Sequence, residues 1–467
     1  MIAVAAESYP TSRPQPGWAE QDPGDWLAAL AKASRRLLEE AGPRTVDAVG
    51  LTSATHHAVL LDAAGAPLLP CILLSDGRAS ARATELEESQ GELITSRTRN
   101  SPSAGWTLPQ LQWLAAEEPG SWSKTRRIAL AKDYLLWHLT GEWASDWIDA
   151  EGTLLVDSTT HSWDSELCRL AGIQPATLNP IVAPSAVVGT VTSSAAELTG
   201  LAPGTPVVAG SSDTSAEMLA AGATQPGQLV VKLATAGMVA TVTPSAVARP
   251  GWFTYTYLVD GLDYQALGTN SAAEALRWFA ELFPSAGYEA LEAEAQLVPA
   301  GSEGVLFHPY LMGERSPVFD PELRAAFLGV GSGHGRGHLA RAVLEGVSLS
   351  LLDCLEAMCQ HLEVGSEAFV VGGGARSPLW RSILADVLGL ELKLPALADA
   401  SAGAALIAAA GIGQIELDGT APWAKTVDRV SPDSQRHDGY AELLHIYRST
   451  RDGLSDVGPS LRRVRYT

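Results

Sequence analysis

The stretch Thr205–Thr241, TPVVAGSSDTSAEMLAAGATQPGQLVVKLATAGMVAT, decides how the chain is read. Pro206–Ala209 is a short apolar run, Gly210–Ser212 a small-residue turn and Thr214–Ala221 a helical pattern, so Asp213 falls where a strand hands over to a helix. A carboxylate at that junction can face a cleft, or it can N-cap the helix, with Thr214 and Glu217 in a capping-box pattern. Both readings stand on the sequence alone. Leu229–Leu233 and Met238–Val242 then read as paired strands around Ala234-Thr235-Ala236-Gly237. That tight turn is either an ordinary hairpin or a cradle whose amides and hydroxyl hold a phosphate.

Outward toward the C-terminus, Gly251–Gly268 alternates aromatic and polar residues as an antiparallel pair, and Ala272–Leu282 is helical. His308–Pro321 is a proline-bounded loop too irregular for either period, and His338–Leu362 a long helix rich in leucine and valine. Phe369–Val371 leads into Gly372-Gly373-Gly374-Ala375-Arg376-Ser377-Pro378, where Ser377 as N-cap and Pro378 at the first helical position start a helix to Leu388. Three glycines keep side chains away from a flat ring or a phosphate, but they also suit a plain strand-to-helix turn. Leu392–Leu394 is a further strand, and Ala400–Ala410 a small-residue helix expected to pack closely against it.

Toward the N-terminus, Ile2–Ala6 reads as a strand and Pro10–Pro23 as a connector rich in Pro, Gly and Trp. Asp25–Glu40 is an amphipathic helix, Val46–Leu51 and Val59–Asp62 are strands, and Thr52–His57 lies in the loop between them. Adjacent histidines there are either plain loop residues or holders of a polar ligand. Pro70–Leu74 is a strand ending in Ser75-Asp76-Gly77-Arg78, with Asp76 a candidate cap for the helix Ala79–Gln90. Trp106–Glu117 is a helix, Arg127–Ala131 a strand, Lys132–Leu139 a helix carrying Tyr134, and Trp143–Leu155 a polar loop with an apolar exit.

With 467 residues the chain exceeds a single ordinary domain. Hydrophobic residues make up 46% and charged residues 18%, which excludes global disorder. The formal net charge of -21 lacks the basic footprint of a nucleic-acid or anionic-membrane binder, so an anionic substrate needs a local basic pocket. Cys71, Cys168, Cys354 and Cys359 have no metal-ligand or disulfide-framework spacing; no metal site of the protein's own is expected, and a reducing cytoplasm is.

Several separated segments together resemble the FGGY family of carbohydrate kinases. Gly329-Val330 followed after seven residues by HLARAVLEG (His338–Gly346) looks like one family signature, and VGGGARSPLWRSILADVLGL (Val371–Leu390) like its adenine-side loop and helix. WTLPQLQWL (Trp106–Leu114) resembles another, with Gln110 where a lysine is usual; PGWAEQDP (Pro16–Pro23) and KDYLLWHLTG (Lys132–Gly141) are also similar. Within the family, DAEGTLL (Asp149–Leu155) and Ile181–Gly210 look most like the xylulose kinases.

The resemblance implies an α/β fold of two ribonuclease-H-like, actin-like ATPase domains around a central cleft. The expected halves are residues 1–203, on the sugar side, and 204–467, on the nucleotide side. It implies ATP with Mg2+, a small-molecule sugar such as D-xylulose, no nucleic acid, no membrane, and a homodimer as one possible assembly. By position, Asp213 matches the catalytic base, Thr55 and His56 the sugar-contacting pair, and Asp76 and Tyr134 the sugar side. Thr235 and Gly237 match the phosphate-holding turn, and Gly373, Gly374 and Ala375 the adenosine end. Relatives open with a strand, an Asp-x-Gly-Thr phosphate loop and a second strand. The chain as given starts beyond them, so the first domain is expected to lack its N-terminal strands. An active kinase read from a downstream start, a catalytically impaired pseudokinase and a kinase for ribulose, gluconate or glycerol all stay open. A sugar-independent ATPase rests on fold analogy alone.

Overall fold

The computed structural model describes residues 1–464. In the first half, helix α1 (Pro23–Ala41) starts where Asp22 accepts from the Gly24 amide at 2.8 Å, with Pro23 at its first position. Short strands follow: β1 (Thr52–Ser53) and β2 (Ala58–Leu61). Helices α2 (Ser80–Thr98) and α3 (Thr107–Glu117) precede β3 (Arg127–Leu130), which runs straight into α4 (Ala131–Thr140). β2 pairs antiparallel with β3, so this half is held by two-stranded ladders rather than by one broad sheet.

β4 (Ser211–Ser212) feeds directly into α5 (Asp213–Ala221). Pro206–Val208 pairs with Val187–Thr190 and β4 pairs with β1, so the backbone ladders of the first half continue beyond residue 203. The second half is built on a seven-stranded sheet. Its members are β5 (Leu229–Leu233), β6 (Gly237–Thr243), β7 (Phe253–Thr256), β8 (Asp263–Thr269), β9 (Glu367–Val371), β10 (Glu391–Pro395) and β11 (Thr426–Val430), in the order β7-β8-β6-β5-β9-β10-β11. β5 lies antiparallel to β6 and parallel to β9. Paired on both edges and apolar apart from Lys232, β5 reads as the continuous hydrophobic run of a central strand.

Helix α6 (Ala273–Glu281) follows β8, and α7 (Arg336–Cys359) is buried almost all round from Ala340 to Leu355, as expected of a helix through a core. A Cβ on Gly346 would stand 2.1 Å from the Phe307 carbonyl oxygen, so α7 passes the short strand Leu306–His308 only through a glycine. Helix α8 (Pro378–Leu388) carries the expected cap: Ser377 accepts from the Trp380 amide at 3.0 Å.

Four readings from sequence need correction. Ile2–Ala6 forms no strand; with no ladder partner its amides gain nothing from extension, and Arg36 instead binds the Ala6 carbonyl and Glu7. Val46–Leu51 contributes a single bridge, Val49 to Val207, rather than a strand. The small-residue helix α9 (Ala400–Gly411) packs on α5 and not on β10, since Gly403 lets it approach the Ala216 carbonyl, where a Cβ would sit at 1.9 Å. Trp143–Leu155 is a buried turn of helix, Trp147–Glu151, rather than a polar loop.

That turn encloses a charge cluster. Lys132 Nζ lies 3.2 Å from Asp133 and 3.0 Å from Asp146, and all three side chains have no exposure. Asp149, also buried, has neither oxygen hydrogen-bonded to a described residue, and burial pushes its carboxyl well above the usual range. Burial alone would lower the Lys132 ammonium, but Asp146 and then Asp133 overcome it and hold the group above its ordinary value. Lys132→Met strands these carboxylates, so urea denaturation is expected to show a loss of about 3–5 kcal/mol. A loss under about 1 kcal/mol would mean the carboxyls are neutral and need no cation.

Among the described residues no helix is long and apolar enough to cross a membrane.

Candidate active site

The two-residue parallel pairing of β4 with β1 aligns Ser211 with Thr52 and Ser212 with Ser53. It sets the start of α5 beside the Thr55–His57 loop, about 160 positions earlier in sequence. Ser212, not Asp213, caps the helix, accepting from the Ser215 amide at 3.3 Å; Glu217 is drawn away to Lys232 at 2.6 Å. The capping-box reading of Asp213 is therefore wrong. Asp213 Oδ1 accepts from the Thr214 amide at 2.7 Å, and no hydrogen bond among the described residues reaches Oδ2. The side chain is half-buried and lines a cavity of about 290 Å3 with Thr55, His56, Lys232, Thr235 and Gly237.

His56 forms much of the opposite side. Its φ of 74° turns the ring inward, where Nε2 lies 2.7 Å from the Tyr255 hydroxyl and the ring sits 4.1 Å from Trp106. Burial, then His57, then Arg315 hold the His56 imidazole well below its usual pKa, so it is neutral at pH 7. Trp106 stacks in turn on Phe253 at 5.7 Å and on Tyr255 at 6.1 Å. Asn100 exchanges bonds with both the carbonyl and the amide of Thr254, at 2.7 and 2.8 Å. Glu151 accepts from Thr256, so strand β7 is clamped onto the first half along its length.

Across the cavity, the β5–β6 turn has its carbonyls tied down. Ala272 and Ala273 donate to Thr235 and Ala234 at 2.9 and 2.8 Å. No bond among the described residues uses the Thr235 hydroxyl or the amides of Ala234, Thr235 and Ala236. Gly237 is a packing requirement, since a Cβ would come within 2.8 Å of Thr269. Thr235 also lines a second cavity, of about 400 Å3, together with Gly373, Gly374, Arg376, Ser377 and Tyr288. In the glycine triplet only Gly373 faces open space: Gly372, at φ 90°, lies against the Leu233 carbonyl, and Gly374 lies against Trp380. Arg376 makes no ion pair among the described residues, which supplies the local positive charge that an acidic chain needs for an anion.

Three expected site residues lie outside both cavities. Asp76 accepts from the Ala19 amide at 2.5 Å and from Arg78, whose guanidinium rests 3.7 Å over Trp18; it pins the connector and does not cap α2, whose start at Ala79 has no side-chain cap. Tyr134 packs edge-on against His138 in a small core with Trp26. Ala375 is buried, and its carbonyl accepts from Arg381 at 2.7 Å. Lys232, Phe253, Tyr255, Tyr264 and Arg315 line the first cavity and were not expected there. The alternation of Phe253 and Tyr255 puts these rings on one face of β7, but only pairing across the halves shows what that face meets.

A family model for the N-terminal domain of the FGGY carbohydrate kinases matches residues 1–220, and one for the C-terminal domain matches residues 208–412. The chain belongs to the FGGY family of carbohydrate kinases. It is 32% identical over 458 residues to a xylulose kinase from Escherichia coli (strain K12), covering 96% of this chain and 93% of that one. A gluconokinase from Bacillus subtilis (strain 168) is 27% identical over 461 residues, covering 94% and 89%. The crystal structure of xylulose kinase from Rhodospirillum rubrum superposes with a TM-score of 0.86 at 32% identity, over 96% of this chain and 93% of that one. The two-domain FGGY kinase fold and sugar kinase chemistry follow.

No group of three or more acidic, His or Cys side chains that could hold a metal occurs among the described residues of this FGGY chain. A hard divalent cation that arrives on a nucleotide takes most of its ligands from phosphates and water; the Asp213 carboxylate in the cavity would meet its water shell, leaving Oδ2 itself uncoordinated. The residues fit such an ion.

His57 has a structural task. Its Nε2 accepts from the Leu74 amide at 3.1 Å, and burial lowers its pKa to about 4. A folded pKa below the ordinary 6.5 gives stability that is complete above pH 6.5 and lost as pH falls toward 4. Between pH 7 and pH 5 this histidine accounts for up to about 2 kcal/mol. His57→Gln is expected to show a correspondingly smaller drop in denaturation midpoint over that interval, and an unchanged drop would assign the acid sensitivity elsewhere.

Proposed function

We propose that the protein phosphorylates a sugar primary hydroxyl with ATP, D-xylulose being the best-supported sugar, and that Asp213 is the general base. One observation carries this reading: Asp213 presents an uncommitted Oδ2 in a cavity that shares Thr235 with a second cavity lined by the glycine turn and the start of α8. The names of the relatives supply the sugar.

The smaller cavity takes the sugar, with Thr55 and His56 on its first-half side. The larger takes ATP, its phosphates toward the free amides and hydroxyl of the Ala234–Gly237 turn, and its adenosine toward Gly373 and Gly374. Ala375 acts from beneath, shaping the turn. Asp76 and Tyr134 support the sugar side by fixing the connector and α4 rather than by touching ligand. The sugar hydroxyl oxygen bonds to the γ-phosphorus as the bond to the ADP oxygen breaks, and Asp213 takes the hydroxyl proton. Phosphoryl transfer asks chiefly for alignment and charge stabilisation, which the turn and Lys232 provide. Mg2+ bound with ATP supplies neutralising charge on the phosphates. Residues 1–203 form the sugar domain and residues 204–467 the nucleotide domain in this reading, with four free cysteines suited to a reducing cytoplasm.

A coupled ADP-release assay over xylulose, ribulose, gluconate and glycerol is expected to show sugar-dependent turnover, greatest with D-xylulose. ADP release without any sugar requirement, or sugar binding with no turnover, would overturn the kinase reading; a preference for gluconate would replace only the sugar. Asp213→Asn is expected to lower kcat by about a hundredfold to ten-thousandfold while the sugar KM moves little. A change confined to KM would assign Asp213 to binding. Thr235→Val removes a hydroxyl between the cavities and is expected to cut kcat/KM for ATP about tenfold or more. An unchanged value would place the phosphates elsewhere.

A further inference from the structure

Among the described residues Arg315 is the only arginine lining the Asp213 cavity, and the proposed phosphoryl transfer gives it no task. Three other enclosed arginines have carboxylate partners, Arg78 with Asp76 at 2.7 Å, Arg341 with Glu345 at 2.7 Å, and Arg451 with Asp353, and half-buried Arg127 donates to Asn179 Oδ1 at 2.9 Å. Arg315 forms no ion pair with any described residue. Its Nε donates to the Gly268 carbonyl at 3.3 Å, and the guanidinium carbon lies 5.1 Å from the centre of the Phe253 ring. The neighbouring carboxylate is no substitute. Glu314 Oε1 already accepts from the amides of Asn270 and Arg315, and Oε2 from Thr269 at 2.7 Å and Ser350 at 3.3 Å.

The backbone is shaped to admit this cation. A Cβ on Gly268 would stand 2.5 Å from Arg315 Nη2 and 2.6 Å from the Gly237 carbonyl, so a glycine at that point lets the guanidinium lie against β8 next to the β5–β6 turn. Phe253 and Tyr255 point to one face of β7. Arg315 covers the first of these rings, and His56 bonds the hydroxyl of the second at 2.7 Å. The cation and the neutral imidazole therefore share one aromatic face. A partly desolvated guanidinium with a single long carbonyl contact is costly, and its planar fork matches an oxygen on a trigonal carbon better than a lone hydroxyl.

We propose that Arg315 is a specificity-determining residue. Its free Nη groups bind the ketone or carboxylate oxygen at the end of an acyclic sugar remote from the hydroxyl that Asp213 deprotonates. The proposal rests on the reading of this cavity as the sugar site, and it selects for ketoses and aldonates over simple polyols.

Calorimetric titration of the full chain with D-xylulose, D-gluconate and xylitol tests it without needing turnover. Arg315→Ala is expected to weaken xylulose or gluconate, whichever the wild type binds, about tenfold or more, and to leave xylitol weak and unchanged. A larger loss for gluconate identifies the carboxylate as the acceptor, and a larger loss for xylulose the ketone. Arg315→Lys keeps the charge without the fork; it is expected to recover only part of the affinity, and it carries the test if the alanine variant fails to fold. Equal losses for all three ligands, or none for the first two, would overturn the proposal. Should the wild type bind no sugar, the cavity assignment falls together with it. Wild-type turnover combined with undiminished sugar binding by both variants would remove Arg315 alone.

Discussion

The site depends on one short piece of parallel backbone pairing, Ser211-Ser212 against Thr52-Ser53. Two residues of ladder are weak in isolation. Here Ser211 and Ser212 are buried and Thr52 and Ser53 half-buried, and they sit between Asp213 and the Thr55–His57 loop, so the two segments meet at one cavity. The next turn of α5 locks this arrangement: Ser212 caps the helix, and Glu217 pairs with Lys232 on the central strand of the large sheet. That ion pair ties the helix bearing Asp213 to the strand leading into the β5–β6 turn. Asp213 and the β5–β6 turn thus share one support, which is what the proposed transfer would need for alignment.

The second support comes from β7, whose backbone is gripped by Asn100 and Glu151 of the first half while its rings form the wall facing His56. Burial keeps that imidazole neutral, so His56 offers a hydrogen bond and a flat surface rather than a charge. Charges in the cavity are instead Asp213, Lys232 and Arg315. In a protein of net charge -21, the proposed reaction would draw on Lys232 for the phosphates and on Arg315 for the sugar.

Much of the scaffold was legible before any tertiary structure. Ser377 and Pro378 mark the start of α8 because a cap and a preset φ act locally, and Leu229–Leu233 reads as a buried strand because it is apolar on both faces. Local rules failed where partners are distant. Asp76 has the spacing of a cap but finds Arg78 and the Ala19 amide; Ile2–Ala6 has the composition of a strand but no edge to join. Trp143–Leu155 looks polar, yet Asp146 pairs with Lys132 and Asp149 is buried beside them inside the core, which a residue-by-residue polarity reading cannot see.

The sequence by itself determined the family, the order of elements and the candidate base, because signatures, caps and hydrophobic periods are properties of neighbouring residues. Tertiary structure alone decided which face each polar side chain meets. It left an oxygen of Asp213 uncommitted, separated His56 for the cavity from His57 for the backbone, and left Arg315 out of any ion pair among the described residues. Hydrogen bonds and desolvation depend on distances across the fold, and no local pattern encodes them.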